Sequence, residues 1–101
     1  MAIAPELLER YRPSAVKWND LLLLPADAAL ALVDDCEREA IRLLGYDAFE
    51  PGQGDTMRCR PEDGLDASGR DYWDYSIEEL CDVIRDSIRA RASLLFAFLL
   101  L

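Results

Sequence analysis

The chain has 101 residues, of which 20 are acidic and 11 basic, so its formal net charge is −9, and it contains no histidine. Without histidine it lacks the side chain that most often acts as a general base near neutral pH and as a metal ligand. The excess of carboxylates repels nucleic acid and anionic lipid and attracts basic surfaces. The composition therefore favours a binding protein over an enzyme, and a protein partner over a nucleic acid or a membrane.

The length fits a single domain spanning residues 1–101, and an apolar fraction of 51% is sufficient for a hydrophobic core. The N-terminus has no basic stretch followed by an apolar run, so the sequence predicts no secretory signal. The longest apolar runs, residues 21–24 and 94–101, are shorter than the roughly 20 residues that span a bilayer. We therefore expect a cytoplasmic protein.

The first elements in the chain are predicted to be helical. A short helix opens at Pro5, and Pro13 limits its extension. Residues 21–24, four leucines, are compatible with either an extended buried segment or the end of a helix. A central helix is predicted from Pro25 to about Leu44, ending at Gly45. Its apolar residues form two stripes, and its solvent face is predicted to carry Asp34, Asp35, Glu37, Arg38 and Arg42.

Residues 46–75 are rich in acids, proline and glycine and show no helical period. They predict a long ordered loop, in which residues 56–60 alternate weakly and are compatible with one short strand or hairpin arm. A last helix opens at Ser76, where Ser76 and Glu79 have the spacing of a capping box. Its apolar stripe runs to Leu95, and Arg91 beside that stripe is expected to extend to solvent or pair with a carboxylate.

The leucine-rich run at residues 94–101 either packs inside the domain or belongs to a helix that continues. The predicted fold class is thus mainly α. It consists of two long helices and a short N-terminal one, joined by the long loop with at most a short β segment.

Three cysteines, at positions 36, 59 and 81, form no C-x-x-C pair and are predicted to be reduced thiols. Cys36 and Cys81 fall on helical apolar stripes and are expected to be small buried hydrophobic residues. Cys59 lies between two arginines, which would lower its pKa, but no second thiol or histidine stands nearby to support a redox role. The sequence has no phosphate-binding loop, zinc pattern or regular calcium loop, so we predict no cofactor, metal or catalytic residues.

Binding is better supported, because aromatic and acidic residues alternate on both sides of the predicted loop, at residues 46–50 and 71–75. Tyrosine and tryptophan anchor interfaces, and surrounding acids steer a basic partner. Phe49 and Trp73 are expected to fill the core. The alternative interface is the acidic face of the central helix at Asp34, Asp35 and Glu37. The predicted partner-binding residues are Tyr46, Asp47, Glu50, Glu62, Asp63, Asp66, Tyr72, Asp74 and Tyr75.

A family resemblance rests on the run from Ala40 to Phe49 (AIRLLGYDAF), a polar proline-containing loop, and Tyr75-Ser76 opening a final helix. Over about residues 26–95 this pattern resembles the small immunity proteins of bacterial polymorphic toxin systems, and most of all the group called immunity protein 40. The resemblance implies a non-enzymatic protein that binds and blocks a toxin made by the same cell. The alternative hypothesis is a structural or regulatory protein that self-associates through a leucine-rich C-terminal helix.

Overall fold

A five-stranded antiparallel sheet is the framework of this protein, and the predicted mainly α fold is wrong. The computed structural model describes residues 5–54 and 56–100. Its strands lie in the order β1-β2-β5-β3-β4. The elements along the chain are α1 (Pro5–Arg10), a 3₁₀ turn (Arg12–Ser14), β1 (Val16–Trp18), β2 (Leu21–Pro25), α2 (Ala26–Arg38), β3 (Leu43–Pro51), β4 (Met57–Asp66), a second 3₁₀ turn (Arg70–Tyr72), α3 (Ile77–Ala90) and β5 (Leu95–Leu100).

The central helix is shorter than predicted, because the chain reverses after Arg38 and enters β3 at Leu43. Ala40 adopts a left-handed conformation with φ +55°, which ends the helix. Gly45 does not end the helix. It lies within β3 with φ +148°, and a Cβ at this position would stand 2.3 Å from the main-chain oxygen of Leu65. Glycine is therefore required here by the close approach of β4.

Most of the predicted long loop is a hairpin formed by β3 and β4, which pairs Phe49 with Cys59 and Tyr46 with Leu65. The short strand expected at residues 56–60 is the first half of β4. Residues 61–64 face a single residue of β3, Asp47, and so form a large bulge. The proline and glycine that suggested a loop, at positions 61 and 64, lie in this bulge.

The leucine-rich C-terminal run packs inside the domain as β5, between β2 and β3, and is not a helix. The last helix ends at Ala90 rather than near Leu95. Residues 21–24 take the extended alternative and belong to β2. The helix predicted to open at Pro5 is confirmed as α1. Within residues 5–54 and 56–100, no helix combines the length and the apolar character needed to cross a bilayer.

The main core lies between one face of the sheet and the helices. Phe96 and Leu100 of β5 are fully buried in it together with Leu32 of α2 and Ile84 of α3. The two helical cysteines are buried there, as predicted. Burial raises the pKa of the Cys36 thiol to about 12 and that of the Cys81 thiol to about 11, so both remain neutral at physiological pH.

Candidate functional site

Trp73 lies on the surface with 66% of its area exposed, although it was predicted to fill the core. Its indole Nε1 donates a long hydrogen bond of 3.4 Å to the main-chain oxygen of Ser68. The guanidinium carbon of Arg70 lies 5.7 Å from the centre of the indole ring, a cation–π geometry. The indole is thus held in a defined position while one of its faces remains available to a partner.

Arg42 holds the main chain on both sides of Trp73. The Arg42 guanidinium donates one hydrogen bond of 2.6 Å to the carbonyl of Tyr72 and another of 3.1 Å to that of Tyr75. The rings of Tyr72 and Tyr75 are half-buried against the core and meet edge to face, with centres 5.2 Å apart. Arg42 was predicted on the solvent face of the central helix. It lies beyond that helix and anchors residues 66–76, which we call the Trp73 segment.

Several carboxylates in or next to the Trp73 segment have no basic partner. Asp66, Asp71 and Asp74 are exposed, and Glu78 and Glu79 stand in the first turn of α3. Among the described residues, none of these five acids has a lysine or arginine nitrogen within 4.0 Å. The hydroxyl and main-chain N–H of Ser68 donate to Asp66 and lower its pKa. The aspartates next to Trp73 in the chain are therefore free of ion pairs, although Arg70 brings one positive charge to the same segment.

The acids of the central helix are compensated instead. Arg85 of α3 lies 2.8 Å from Asp34 and 2.7 Å from Glu37. Burial alone would lower the pKa of Arg85, but its hydrogen bonds to these carboxylates raise it. Arg38 pairs with Asp35 on the same helix. Arg85 also lies 2.8 Å from Asp82, so three carboxylates share this guanidinium, and each acid of the alternative interface at Asp34, Asp35 and Glu37 has a basic partner.

The predicted binding residues on the β3–β4 hairpin are also paired. Arg60 lies 2.7 Å from Glu50, 2.6 Å from Glu62 and 3.3 Å from Asp63. Arg91, just after α3, lies 3.1 Å from Asp63, so of the two alternatives predicted for Arg91 the structure shows pairing with a carboxylate. The hydrogen bond from Arg60 lowers the pKa of Glu62. Asp63 thus links the bulge of β4 to the end of α3, and the three acids share two guanidinium groups.

Tyr46 and Asp47 are the two remaining predicted residues, and their side chains lie on opposite faces of β3. Tyr46 is 4% exposed, its ring packs on Phe96, and its hydroxyl hydrogen-bonds to Ser87, so it belongs to the core. Asp47 is exposed and lines, together with Asp66, a groove of about 480 Å³. Phe49, expected in the core, is buried.

The structure thus brings four of the nine predicted residues, Asp66, Tyr72, Asp74 and Tyr75, into one segment. It adds Trp73 and its neighbours Arg70 and Asp71, which were not among the residues predicted to bind. The signal in the sequence for the exposure of Trp73 was the pair of aspartates within the run DYWDY, because charged neighbours keep such a run near solvent. The anchoring role of Arg42 had no local signal, because its partners lie 30 and 33 positions later.

In the part of the chain that the structure describes, no group of three or more histidine, cysteine, aspartate or glutamate side chains could hold a metal ion. Cys59 is an exposed free thiol in β4, paired across the strands with Phe49.

No protein-family model, curated protein or solved structure shows significant similarity to this chain. The surface around Trp73 is therefore the main basis for a functional proposal.

Proposed function

We propose that this chain is an immunity protein that binds and blocks a cognate basic toxin, with the Trp73 segment at the centre of the contact. The observation that carries the proposal is the exposed indole of Trp73, which is held in place and has the unpaired Asp71 and Asp74 close to it in the chain. A tryptophan that is already fixed loses little conformational entropy on binding and buries a large area.

The two kinds of side chain in this segment have different tasks. Asp66, Asp71 and Asp74 attract a basic surface over several ångströms and raise the rate of encounter. Trp73 acts only at contact, so it sets the lifetime of the complex. The paired acids of the hairpin and of the central helix contribute less, because each lies within 4.0 Å of a guanidinium that weakens its field.

The proposed activity is non-enzymatic and takes place in the cytoplasm, where a cell needs protection from its own toxin. Nucleic acid and anionic membranes are not expected as partners, because both are negatively charged and a chain of net charge −9 repels them. The family resemblance points to the same function. This resemblance rests partly on Leu44-Gly45 as a predicted helix end, and these residues lie in β3, so the surface around Trp73 is the stronger support.

The alternative hypothesis, self-association through a leucine-rich C-terminal helix, loses its structural basis. That segment is the strand β5, paired on both sides, and Phe96 and Leu100 face the core. Any self-association must therefore use a different surface.

The test is protection of a host cell. The chain is co-expressed with the product of an adjoining reading frame that kills the host when expressed alone. We expect the wild-type chain to restore growth and Trp73→Ala to restore it much less. Glu62→Gln is the matched control, because it alters an acid that is already paired with Arg60, and it should protect like the wild type. Loss of growth with the wild-type chain, or full protection by Trp73→Ala, would contradict the proposal.

A further inference from the structure

A groove of about 480 Å³ lies on the side of the sheet that faces away from the helices. Phe96 of β5 packs in the core, so the next residue, Ala97, and its strand partner Asp47 lie on the opposite face, and so do Leu99 and its partner Gly45. All four of these residues line the groove. Because Gly45 has no side chain and Ala97 has only a methyl group, the surface of the sheet is low between larger neighbours.

The groove is apolar on the side toward β5 and β2. Leu99 of β5 is 50% exposed and Leu21 of β2 is 38% exposed, and both line the groove. They are two of the four large hydrophobic residues that are exposed in the described part of the chain. A group that covered these two side chains would remove apolar area from water, which is favourable.

The side of the groove toward β4 is acidic. Asp66 of β4 pairs with Gly45 across the strands, and Asp47 lies two positions further along β3. Residues in this diagonal relation have α-carbons about 7–8 Å apart, which is within reach of one multidentate group placed between their side chains. The groove therefore combines two carboxylates with two exposed leucines.

These two carboxylates have no cation of their own. Among the described residues, no lysine or arginine nitrogen lies within 4.0 Å of Asp47 or Asp66, and none of the residues that line the groove is basic. Arg12 and Lys17 line a different hollow, which shares one leucine with the groove. Both hydrogen bonds that Ser68 donates to Asp66 end on Oδ1, so Oδ2 remains available to a ligand.

We propose that this groove receives an arginine side chain of the basic partner, with the methylene stem against Leu21 and Leu99 and the guanidinium between Asp47 and Asp66. The proposal rests on the function proposed above, and it names the chemical group that the partner presents. Arginine combines an apolar stem with a charged head and so matches a groove with one apolar and one acidic side. Its planar guanidinium has five N–H donors and can bond to two carboxylates at once, whereas the ammonium of lysine is a compact point charge.

The groove is continuous with the Trp73 segment. Asp66 and Ser68 line the groove and belong to that segment. The main-chain oxygen of Ser68 also accepts the hydrogen bond from the Trp73 indole. A partner that covers Trp73 can therefore place an arginine in the groove within the same interface.

Binding of N-acetyl-arginine amide to the purified chain, followed by two-dimensional NMR, tests the proposal without any toxin. We expect saturable binding with a dissociation constant in the millimolar range, because a single side chain makes the contact. The largest shifts should be those of the Gly45, Ala97 and Leu99 amides. The citrulline derivative has the same shape without the charge and should bind at least tenfold more weakly. The lysine derivative should also bind more weakly than the arginine derivative.

Two double variants locate the contact. Asp47→Asn with Asp66→Asn should weaken binding of the arginine derivative at least fivefold, and asparagine keeps an oxygen that can accept from Ser68. Glu78→Gln with Glu79→Gln is the matched control, because it removes the same charge from two exposed acids that do not line the groove. It should bind the arginine derivative as the wild type does. Circular dichroism checks folding, and Asp47→Asn alone decides the matter if the first double variant unfolds.

The proposal is overturned if the wild type does not bind the arginine derivative, or binds the citrulline or lysine derivative equally well. It is also overturned if the shifts centre on Trp73 instead of the groove, or if the control variant loses as much binding as the Asp47, Asp66 variant. Protection of the host is measured separately. Protection without arginine binding would overturn the groove alone, whereas arginine binding without protection would support the groove and contradict the proposed function.

Discussion

Arg42 donates a 2.6 Å hydrogen bond from Nη2 to the main-chain carbonyl of Tyr72, across 30 positions of sequence. The acceptor lies at the end of the 3₁₀ turn that immediately precedes Trp73. The backbone on both sides of Trp73 is therefore held by a residue that is distant in sequence but adjacent in the fold.

Removing this anchor should loosen the interface. In Arg42→Ala, two carbonyls lose a charged donor, and we expect the free energy of unfolding to fall by about 2 kcal/mol. Hydrogen exchange of the amides in the Trp73 segment should accelerate well beyond that of α3. Arg42→Lys keeps the positive charge but cannot bond to both carbonyls in the same geometry. Its free energy of unfolding should therefore lie between those of the wild type and Arg42→Ala. Unchanged exchange in Arg42→Ala would show that the segment is held by other contacts.

Gly45 should be among the least replaceable residues of the sheet. Its φ is +148°, and the carbonyl oxygen of Leu65 lies only 2.3 Å from where a Cβ would stand, which leaves no room for a side chain. Gly45→Ala should destabilise the fold by about 3 kcal/mol. Gly69→Ala is the control, since no atom lies within 4 Å of its Cβ position, and it should be nearly neutral. Urea unfolding of both variants makes the comparison, and equal midpoints would contradict the strand assignment of Gly45.

The start of α3 depends on the hydroxyl of Ser76, which accepts a 3.1 Å hydrogen bond from the main-chain N–H of Glu79. Ser76→Ala should cost about 1 kcal/mol, measured as a shift of the denaturant midpoint. In the described residues the Glu79 carboxylate makes no return bond to Ser76, so only half of the predicted capping box forms. Glu79→Gln should consequently have little effect, and a loss as large as that of Ser76→Ala would show that the return bond matters.

The stability of the chain in acid should depend on Asp35. Burial by itself raises the pKa of this carboxyl, but hydrogen bonds from the Tyr11 hydroxyl and from Arg38 outweigh it, so the pKa is lowered from its ordinary value of 3.8. A lowered pKa in the folded state stabilises the fold above pH 3.8, and this contribution disappears as the pH falls through the folded-state pKa.

Tyr11→Phe removes one of these bonds. It should lower the free energy of unfolding by about 1 kcal/mol at pH 7, and the difference from the wild type should shrink below pH 3.8 as Asp35 is protonated. Urea titrations at pH 7 and near pH 3 measure the difference. If Tyr11→Phe lowered the free energy of unfolding equally at both pH values, the contribution of the hydroxyl would not depend on the charge of Asp35.

Helix starts were predictable from the sequence, because their signals are local. Pro5 and Ser76 identify the beginnings of α1 and α3 with no knowledge of the rest of the chain. The strands were missed because their partners are distant. Leu43 fits a helical period as well as a strand, and Tyr46 begins a stretch with no helical period. Their pairing with Leu100 and Phe98 is decided only in the folded sheet.

The site was predictable to a similar degree. The alternation of acids and aromatics indicated the region around Tyr72 and Asp74, but burial separated Tyr46 from it. The sequence also cannot show which acids are paired. In the sequence, Glu62 and Asp66 are both acids of the same acidic stretch. In the structure, Glu62 pairs with Arg60 of its own strand, whereas Asp66 accepts a hydrogen bond from Ser68.

The central claim, that the Trp73 segment binds a basic toxin, is tested most directly by the association and dissociation rates of the complex at two salt concentrations. We expect the double variant Asp71→Lys, Asp74→Lys to slow association, with a loss that shrinks in high salt. Trp73→Ala should leave association nearly unchanged and speed dissociation at least tenfold. Glu62→Gln should affect neither rate. Wild-type rates in folded Trp73→Ala and in the folded double variant would contradict the claim and place the interface elsewhere.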